Sequence, residues 1–467
     1  MSRFKTLFEN SLIFTISSFA SKLLGFLMLP LYTRVLSREE FGTADLIIFS
    51  IGLLFPLLTI SIGESIIRFA IDEKEDKKQV FTIGLKILFI GWLVLLFTLP
   101  FAGKIPVLKD YAIWFYLLFI MQSINVFFNQ FTRGLNKIKL IGVVGVVQTL
   151  VVVISNILFL IVFEFGVDGF LLSIVLGNVV ALLILFYSAN LKNYLEFKRT
   201  DKSLRKEIVK YSLPLVPART SWWVNNSSNR FVIANFASIA ELGLFSAASK
   251  IPSILITFQG IFIQAWELSA LNEYKKKDGA TFFTKIYNLY NFALVIGCSF
   301  LILFIKPISE ILLGPEFYEA WRLVPFLLIA VIFGGIIGFL NTINMALKKT
   351  NALVMPVIVG ALVGLAINLI FVGEYGAMAA SISFTISYIL IWFQRLINAN
   401  KHMKLEINYL RDALSYSIIL IQTIIILYFD DSKISIFAII CFLFLLLINS
   451  QILKDTVTIF KENIVRK

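Results

Sequence analysis

Residues 212–230 read SLPLVPARTSWWVNNSSNR, a stretch with two prolines, two tryptophans, two arginines and a cluster of Asn and Ser, in a chain that is 58% hydrophobic. Its composition is that of a loop, but its spacing is that of a helix. On a helix, Arg219, Trp222, Trp223, Asn226, Asn229 and Arg230 fall within one broad face, and Pro217, Ser221, Val224, Ser228 and Val232 form the other. Pro214 and Pro217 predict a kink near its start, tolerated where freed carbonyls find partners in a cavity wall. The stretch therefore reads as a two-faced span, and the flanking sequence bears on what it spans.

The 467 residues have a mean hydropathy of +0.87, 46 Phe and 15% charged residues, whereas soluble domains carry about 25% charge. The apolar residues come in blocks of about 18 or more, long enough to cross a bilayer as helices. The sequence is thus an all-α polytopic membrane protein. Fourteen spans are expected, near 10–33, 43–70, 80–101, 111–132, 140–163, 169–190, 209–231, 243–268, 280–304, 321–347, 351–372, 377–396, 412–429 and 434–453. The first follows Arg3 and Lys5 and is too long for a signal-peptide core, so it is expected to remain as a span.

Of the 42 Lys and Arg, 28 fall in segments on the side of the N-terminus, 6 on the opposite side and 8 within spans. That asymmetry predicts cytoplasmic termini, and it accounts for most of the net charge of +13 without nucleic acid. Cys298 and Cys441 lie inside apolar blocks and His402 stands alone, so no disulfide framework and no metal site is expected. No nucleotide-binding or nucleophile motif appears, which argues against an enzyme or an ATP-driven pump.

The basic segment at 191–210 divides the chain near its middle. Glu40-Phe41-Gly42 and Glu241-Leu242-Gly243 open corresponding spans. Leu135-Asn136-Lys137 matches Leu347-Lys348-Lys349, and Phe165-Gly166 matches Tyr375-Gly376. These matches predict two parallel six-helix lobes at 1–200 and 201–396, with two further helices and a basic tail at 397–467.

Charges deep in a span are costly and point to function. Lys22, Arg219 and Lys250 have no acid one turn away; Arg230 lies near the end of its span. Ser11, Thr15, Ser18 and Lys22 share a helix face, as do Lys250, Ser253, Thr257 and Gln264, then Gln122, Asn125, Asn129 and Arg133, and Asn341, Asn344 and Lys348. Such stripes line an aqueous cavity or bond helix to helix. Glu64 and Arg68, four residues apart, offer an ion pair or gate. Glu64 and Glu267 also stand at matching inner ends, where a gate is favoured over a proton- or cation-coupling carboxylate. Trp222 and Trp223 fit interfacial packing or stacking on a sugar.

NSLIFTISSFASKLLGFLMLPLYTRVLSREEFGTADLI at 10–47 and YSLPLVPARTSWWVNNSSNRFVIANFASIAELGLFSAASKI at 211–251 resemble the openings of the two halves of Wzx-type polysaccharide flippases. These belong to the multidrug/oligosaccharidyl-lipid/polysaccharide (MOP) exporter superfamily. The family often has Asp-Arg where this chain has Asn229-Arg230. The resemblance implies a V-shaped bundle with alternating access in the bacterial cytoplasmic membrane. Its cargo would be an undecaprenyl-diphosphate-linked oligosaccharide for O-antigen, capsule or a similar polymer, amid membrane lipids and beside polymerase and chain-length machinery. It needs no cofactor; a proton or sodium gradient is the candidate coupling source. Lys22, Arg219, Lys250 and Arg230 would meet the diphosphate, with Ser18, Trp222, Trp223, Asn226, Asn129 and Gln264 as polar and aromatic lining and Glu64, Arg68 and Glu267 as gate or coupling groups. The alternatives are a MATE-like multidrug or metabolite antiporter and a membrane glycan polymerase or ligase.

Overall fold

The structure is a computed structural model describing residues 22–102, 106–196, 200–274, 276, 278–346, 354–429 and 432–452. Among these the regular structure is helical, with no strand. Among the described residues, nine helices are long and apolar enough to cross a membrane, or ten if a pair bent by 46° counts as one span. The chain forms two compact units, Met1–Phe231 and Val232–Lys467. The dividing point of these units lies within a helix.

In the first unit α1 is Leu29–Val35, α2 Arg38–Leu58, α3 Ile62–Ile71, α4 Lys77–Leu96, α5 Pro106–Gly134, α6 Ile138–Ile157, α7 Gly166–Ser188 and α8 Lys202–Ser212; α9, Leu215–Phe236, belongs to it as far as Phe231. The expected span 43–70 is broken between α2 and α3, where Ile60 and Ser61 both have positive φ (46° and 53°). The two prolines act as read: α8 ends at Ser212, Pro214 stands in the break, and Pro217 sits in the first turn of α9, where its missing N–H costs nothing. Phe81, Phe127, Phe128 and Phe131 form the centre of this unit, Phe81 lying 4.7 Å from Phe131 and 5.3 Å from Phe127 between ring centroids. Asn125 donates to Asn178 Oδ1 (2.7 Å), which also accepts from Gln148 (3.3 Å), and Asn129 donates to the Asn125 carbonyl (3.0 Å). In place of hydrophobic drive, which lipid does not supply between helices, this amide ladder joins α5, α6 and α7.

In the second unit α10 is Ile239–Lys250, α11 Ser253–Glu273, α12 Gly279–Leu303, α13 Ile305–Leu312, α14 Val324–Ala346, α15 Val354–Asn400, α16 Tyr409–Tyr428 and α17 Ser432–Ile448. The bent pair is α10 and α11. α15 breaks at Gly376, where φ is +51°, into the two stretches expected as separate spans. Its halves meet closely: a Cβ on Gly360 or Gly364 would press on Ile391 or Ser387, the approach that a Gly-x-x-x-Gly face permits. Trp266 stacks on Phe339 (4.7 Å, 11°) and donates to Thr342 Oγ1 (3.0 Å) at the centre. Both units leave large apolar side chains outside, among them Phe97 (79% exposed), Ile370 and Leu410, as a lipid-facing surface requires.

The two units repeat one local device. Ser37 caps α2 in a reciprocal box with Glu40 (Ser37 N to Glu40 Oε2, 2.8 Å; Glu40 N to Ser37 Oγ, 3.2 Å), and Ser238 caps α10 by accepting from Glu241 N (3.0 Å). A side chain on Gly166 (φ +52°) would meet the Glu40 carboxylate. One on Gly376 (φ +51°) would overlap that of Glu241, which accepts from Ala377 N (2.8 Å). The paired motifs in the sequence therefore mark a Ser-x-x-Glu cap whose carboxylate abuts a glycine with positive φ.

Candidate functional site

α2, α3, α5 and α9 of the first unit enclose a cavity of about 290 Å³. Ile48, Gly52, Phe55, Pro56 and the Trp223 ring form its apolar wall, Gln122 and Val126 face it from α5, and Ser61, Glu64 and Arg219 supply polar groups. The α2–α3 break positions two of these: it turns the chain so that Ser61 and, in the first turn of α3, Glu64 face inward. The Ser61 hydroxyl is buried with no hydrogen-bond partner. Arg219, one turn into α9, lies 3.0 Å from Glu64 Oε1, with the two side chains 55% and 30% exposed.

A second charge pair in the same unit is of another kind. Arg230 Nε donates to Asp45 Oδ2 at 2.8 Å with side chains 11% and 7% exposed, and its guanidinium lies 3.6 Å from the Phe49 ring centroid. An exposed pair contributes about 0.2–1 kcal/mol, whereas removing one partner of a buried pair costs about 3–5 kcal/mol. The magnitudes separate the two roles. Arg219 can exchange Glu64 for another anion at little cost, while Arg230 is fixed in the packing of α2 against α9.

Trp223 is buried, and its indole N–H donates to the Phe49 carbonyl (3.1 Å) above Gly52, so only its ring is available to the cavity. Asn226 is half-buried and its carbonyl accepts from Arg230 (3.5 Å). The stripe on α5 divides: Gln122 faces the cavity, Asn125 reaches Asn178 of α7, and Asn129 donates back to Asn125 one turn earlier on its own helix. Glu64 turns to Arg219, not to Arg68, whose guanidinium lies 4.5 Å from the Tyr211 ring centroid. Lys22 is exposed in a helical turn and is not part of the cavity wall. In the second unit Lys250 is half-buried at the end of α10, where the bend to α11 begins, Gln264 is exposed and Glu267 is half-buried. Ser11, Thr15, Ser18 and Lys348, and the side chain of Trp222, lie outside the described residues.

Asp45 and the Arg219–Glu64 contact are absent from the sequence reading. An acid within an apolar block was the available signal for Asp45, but neither pairing has a sequence spacing that announces it. Among the described residues no group of three or more His, Cys, Asp or Glu could hold a metal ion.

The apolar helices and their outward-facing apolar side chains define a multi-pass membrane protein, with a cavity carrying an ion pair inside its first unit. Residues 7–266 match the polysaccharide biosynthesis protein family, and the chain belongs to that family. It is 23% identical over 437 residues to an uncharacterised membrane protein of Methanocaldococcus jannaschii, MJ1375, covering 85% of this chain and 100% of the relative. The fold is similar to that of the lipid II flippase MurJ in an inward closed conformation, with a TM-score of 0.69 at 14% identity over 96% of this chain and 100% of that one. It is also similar to an inward-facing multidrug resistance transporter of the MATE family in the MOP superfamily (TM-score 0.66, 14% identity, 84% and 94% covered). The resemblance carried by residues 10–47 and 211–251 is met by both the family and the fold.

Proposed function

We propose that the protein is a flippase that moves polyprenyl-diphosphate-linked oligosaccharide from the inner to the outer leaflet of the cytoplasmic membrane by alternating access, with both termini cytoplasmic. The observation that carries this reading is the exchangeable Arg219–Glu64 pair in a cavity walled mainly by apolar side chains, with Ser61 and Gln122 beside it. A diphosphate brings charge-assisted, bidentate bonds to a guanidinium, and these replace one weak pair with a stronger set. Leaving and re-forming the Glu64 contact gives the cation an empty-state partner, so that Arg219 is not left uncompensated between cycles. A cavity of about 290 Å³ sits at the small end of ligand pockets and suits the diphosphate, with the glycan and polyprenyl chain accommodated elsewhere. Family membership in polysaccharide biosynthesis supports a sugar cargo, and the MurJ-like fold supports a lipid-linked one. Lys22 and Lys250 serve as further cations on the route, and polymerase and chain-length proteins act on the exported units.

One observation favours a second reading. The Glu64 carboxylate faces the cavity, and a cation-coupled antiporter of the MATE type would use such an acid. Reconstitution separates the readings. In liposomes given labelled polyprenyl-diphosphate sugar, a flippase moves the label across without a new covalent product. A polymerase or ligase extends the glycan, and an antiporter carries a lipophilic cation against a gradient while leaving the lipid in place.

A further inference from the structure

A second cavity of the first unit, about 410 Å³, lies apart from the site above, between α4 and the segment leading into α8. Its floor is the apolar side of α4, including Ile87, Phe89 and Ile90, and its rim carries Lys86, Arg205 and the carboxylate of Glu196. The rim is a built structure. Thr82 Oγ1 donates to the Glu196 carbonyl (3.1 Å), Asp201 N donates to Gln79 Oε1 (2.8 Å), and Lys86 Nζ reaches Thr200 Oγ1 at 3.5 Å. These bonds tie residues 196, 200 and 201 to α4, and Arg205, in the first turn of α8, lines the cavity.

α8 itself is two-faced. Leu204, Ile208 and Ser212 are buried, Ser212 sharing a hydrogen bond with Ser65 of α3, while Lys202, Arg205, Lys206 and Lys210 are exposed. Because its apolar face is packed into the first unit, only the basic face of α8 is turned outward, as in a juxtamembrane basic segment at the headgroup level. Below Lys86, α4 exposes Phe89, Ile90, Leu93, Val94 and Phe97 along one stripe. At 1.5 Å per residue, the run from 86 to 97 is roughly 16 Å, close to half of the roughly 30 Å hydrocarbon core. The dimensions match one leaflet, with the cations at the headgroup end and the apolar stripe where an acyl chain lies.

We infer that this cleft binds an anionic phospholipid of the leaflet in which α8 lies, with Arg205 and Lys86 on its phosphate and one acyl chain along α4. Lys86, a lysine inside an apolar block, snorkels to that headgroup. The net charge of the rim, two cations and one carboxylate, favours an anionic headgroup over a zwitterionic one. The site is independent of the cargo proposed above, because no residue of the first cavity takes part in it.

The test uses full-length protein purified from nanodiscs containing phosphatidylglycerol and phosphatidylcholine in equal amounts, with retained lipid counted by native mass spectrometry. Wild type is expected to retain phosphatidylglycerol preferentially. Arg205→Ala, a change at an exposed side chain, is expected to lower that retention about tenfold, as loss of one charged hydrogen bond implies. Ile90→Trp, which fills the cleft and leaves both cations in place, is expected to lower it too. Equal retention of the two lipids, or unchanged retention in both variants, overturns the inference. Inorganic phosphate separates the sources: failure to displace the lipid at millimolar concentration supports a headgroup site, and full displacement shows a simple anion site and overturns it.

Discussion

Replacing Asp45 by Asn leaves the Arg230 guanidinium in place with its carboxylate gone. The structure sets the size of the effect. Both side chains are nearly buried, at 11% and 7% exposure, the Nε–Oδ2 distance is 2.8 Å, and the guanidinium also lies 3.6 Å from the Phe49 ring centroid and reaches the Asn226 carbonyl at 3.5 Å. A cation–π contact of about 2 kcal/mol cannot replace a carboxylate for a charge with so little access to water. The loss is therefore expected to be about 3–5 kcal/mol, the cost of an uncompensated buried charge. Removing both charges at once, in Asp45→Leu with Arg230→Met, is expected to recover most of it, because similar apolar groups often pack at least as well as an ion pair. The assay is a double-mutant cycle on detergent-solubilised protein, following denaturant unfolding and the monodisperse fraction after heating. A coupling of about 2 kcal/mol or more between the two positions is expected. Single variants within about 0.5 kcal/mol of wild type, or additive effects, would refute the assignment of this pair to structure.

Three other outcomes follow from particular contacts. Gly166→Ala and Gly376→Ala each place a side chain at positive φ against a glutamate carboxylate and are expected to cost about 1–3 kcal/mol, measured by the same unfolding; an unchanged midpoint would refute the shared cap device. Glu64→Gln keeps its length and loses its charge, so stability is expected to change by less than about 1 kcal/mol while the ionic-strength dependence of substrate binding changes, as scintillation proximity with labelled lipid diphosphate would report. Glu75, between α3 and α4, has its carboxyl pushed up first by desolvation and then by Glu207, Asp72 and Asp201. Because an acid with a raised pKa disfavours the fold when ionised, Glu75→Gln is expected to stabilise fully above that raised pKa, with the gain shrinking as pH falls through it and vanishing below the ordinary carboxylate value; an equal gain at low pH would contradict this.

The helical, membrane-spanning character was legible because hydropathy is a local property: twenty apolar residues have few other places to go. The span at 212–230 was legible as a helix for the same reason, since its period is local, and α9 carries most of its residues as a helix. What was hidden is non-local. Glu64 looked like the partner of Arg68 because four residues along a helix bring two side chains together. The chain breaks at Ile60 and Ser61 instead, and Glu64 meets Arg219, 155 positions away. Asp45 was overlooked because a count of basic residues by side cannot see an acid that a distant helix neutralises. Asn129 shows the remaining ambiguity. A polar stripe on one helix serves equally for a cavity or for bonds to neighbours, and only the positions of the other helices decide that Gln122 does the first and Asn125 the second, while Asn129 bonds back along its own helix to Asn125.

The proposal depends on a cationic group at position 219 that trades a carboxylate for a diphosphate. The most direct measurement is the rate at which proteoliposomes translocate a fluorescent polyprenyl-diphosphate sugar, compared for wild type, Arg219→Ala and Arg219→Lys at equal protein incorporation. The account predicts a loss of roughly tenfold or more for Arg219→Ala, from removal of charge-assisted bonds to phosphate. It predicts partial retention for Arg219→Lys, which keeps the charge and loses the bidentate geometry. Translocation by correctly inserted Arg219→Ala at the wild-type rate would contradict it.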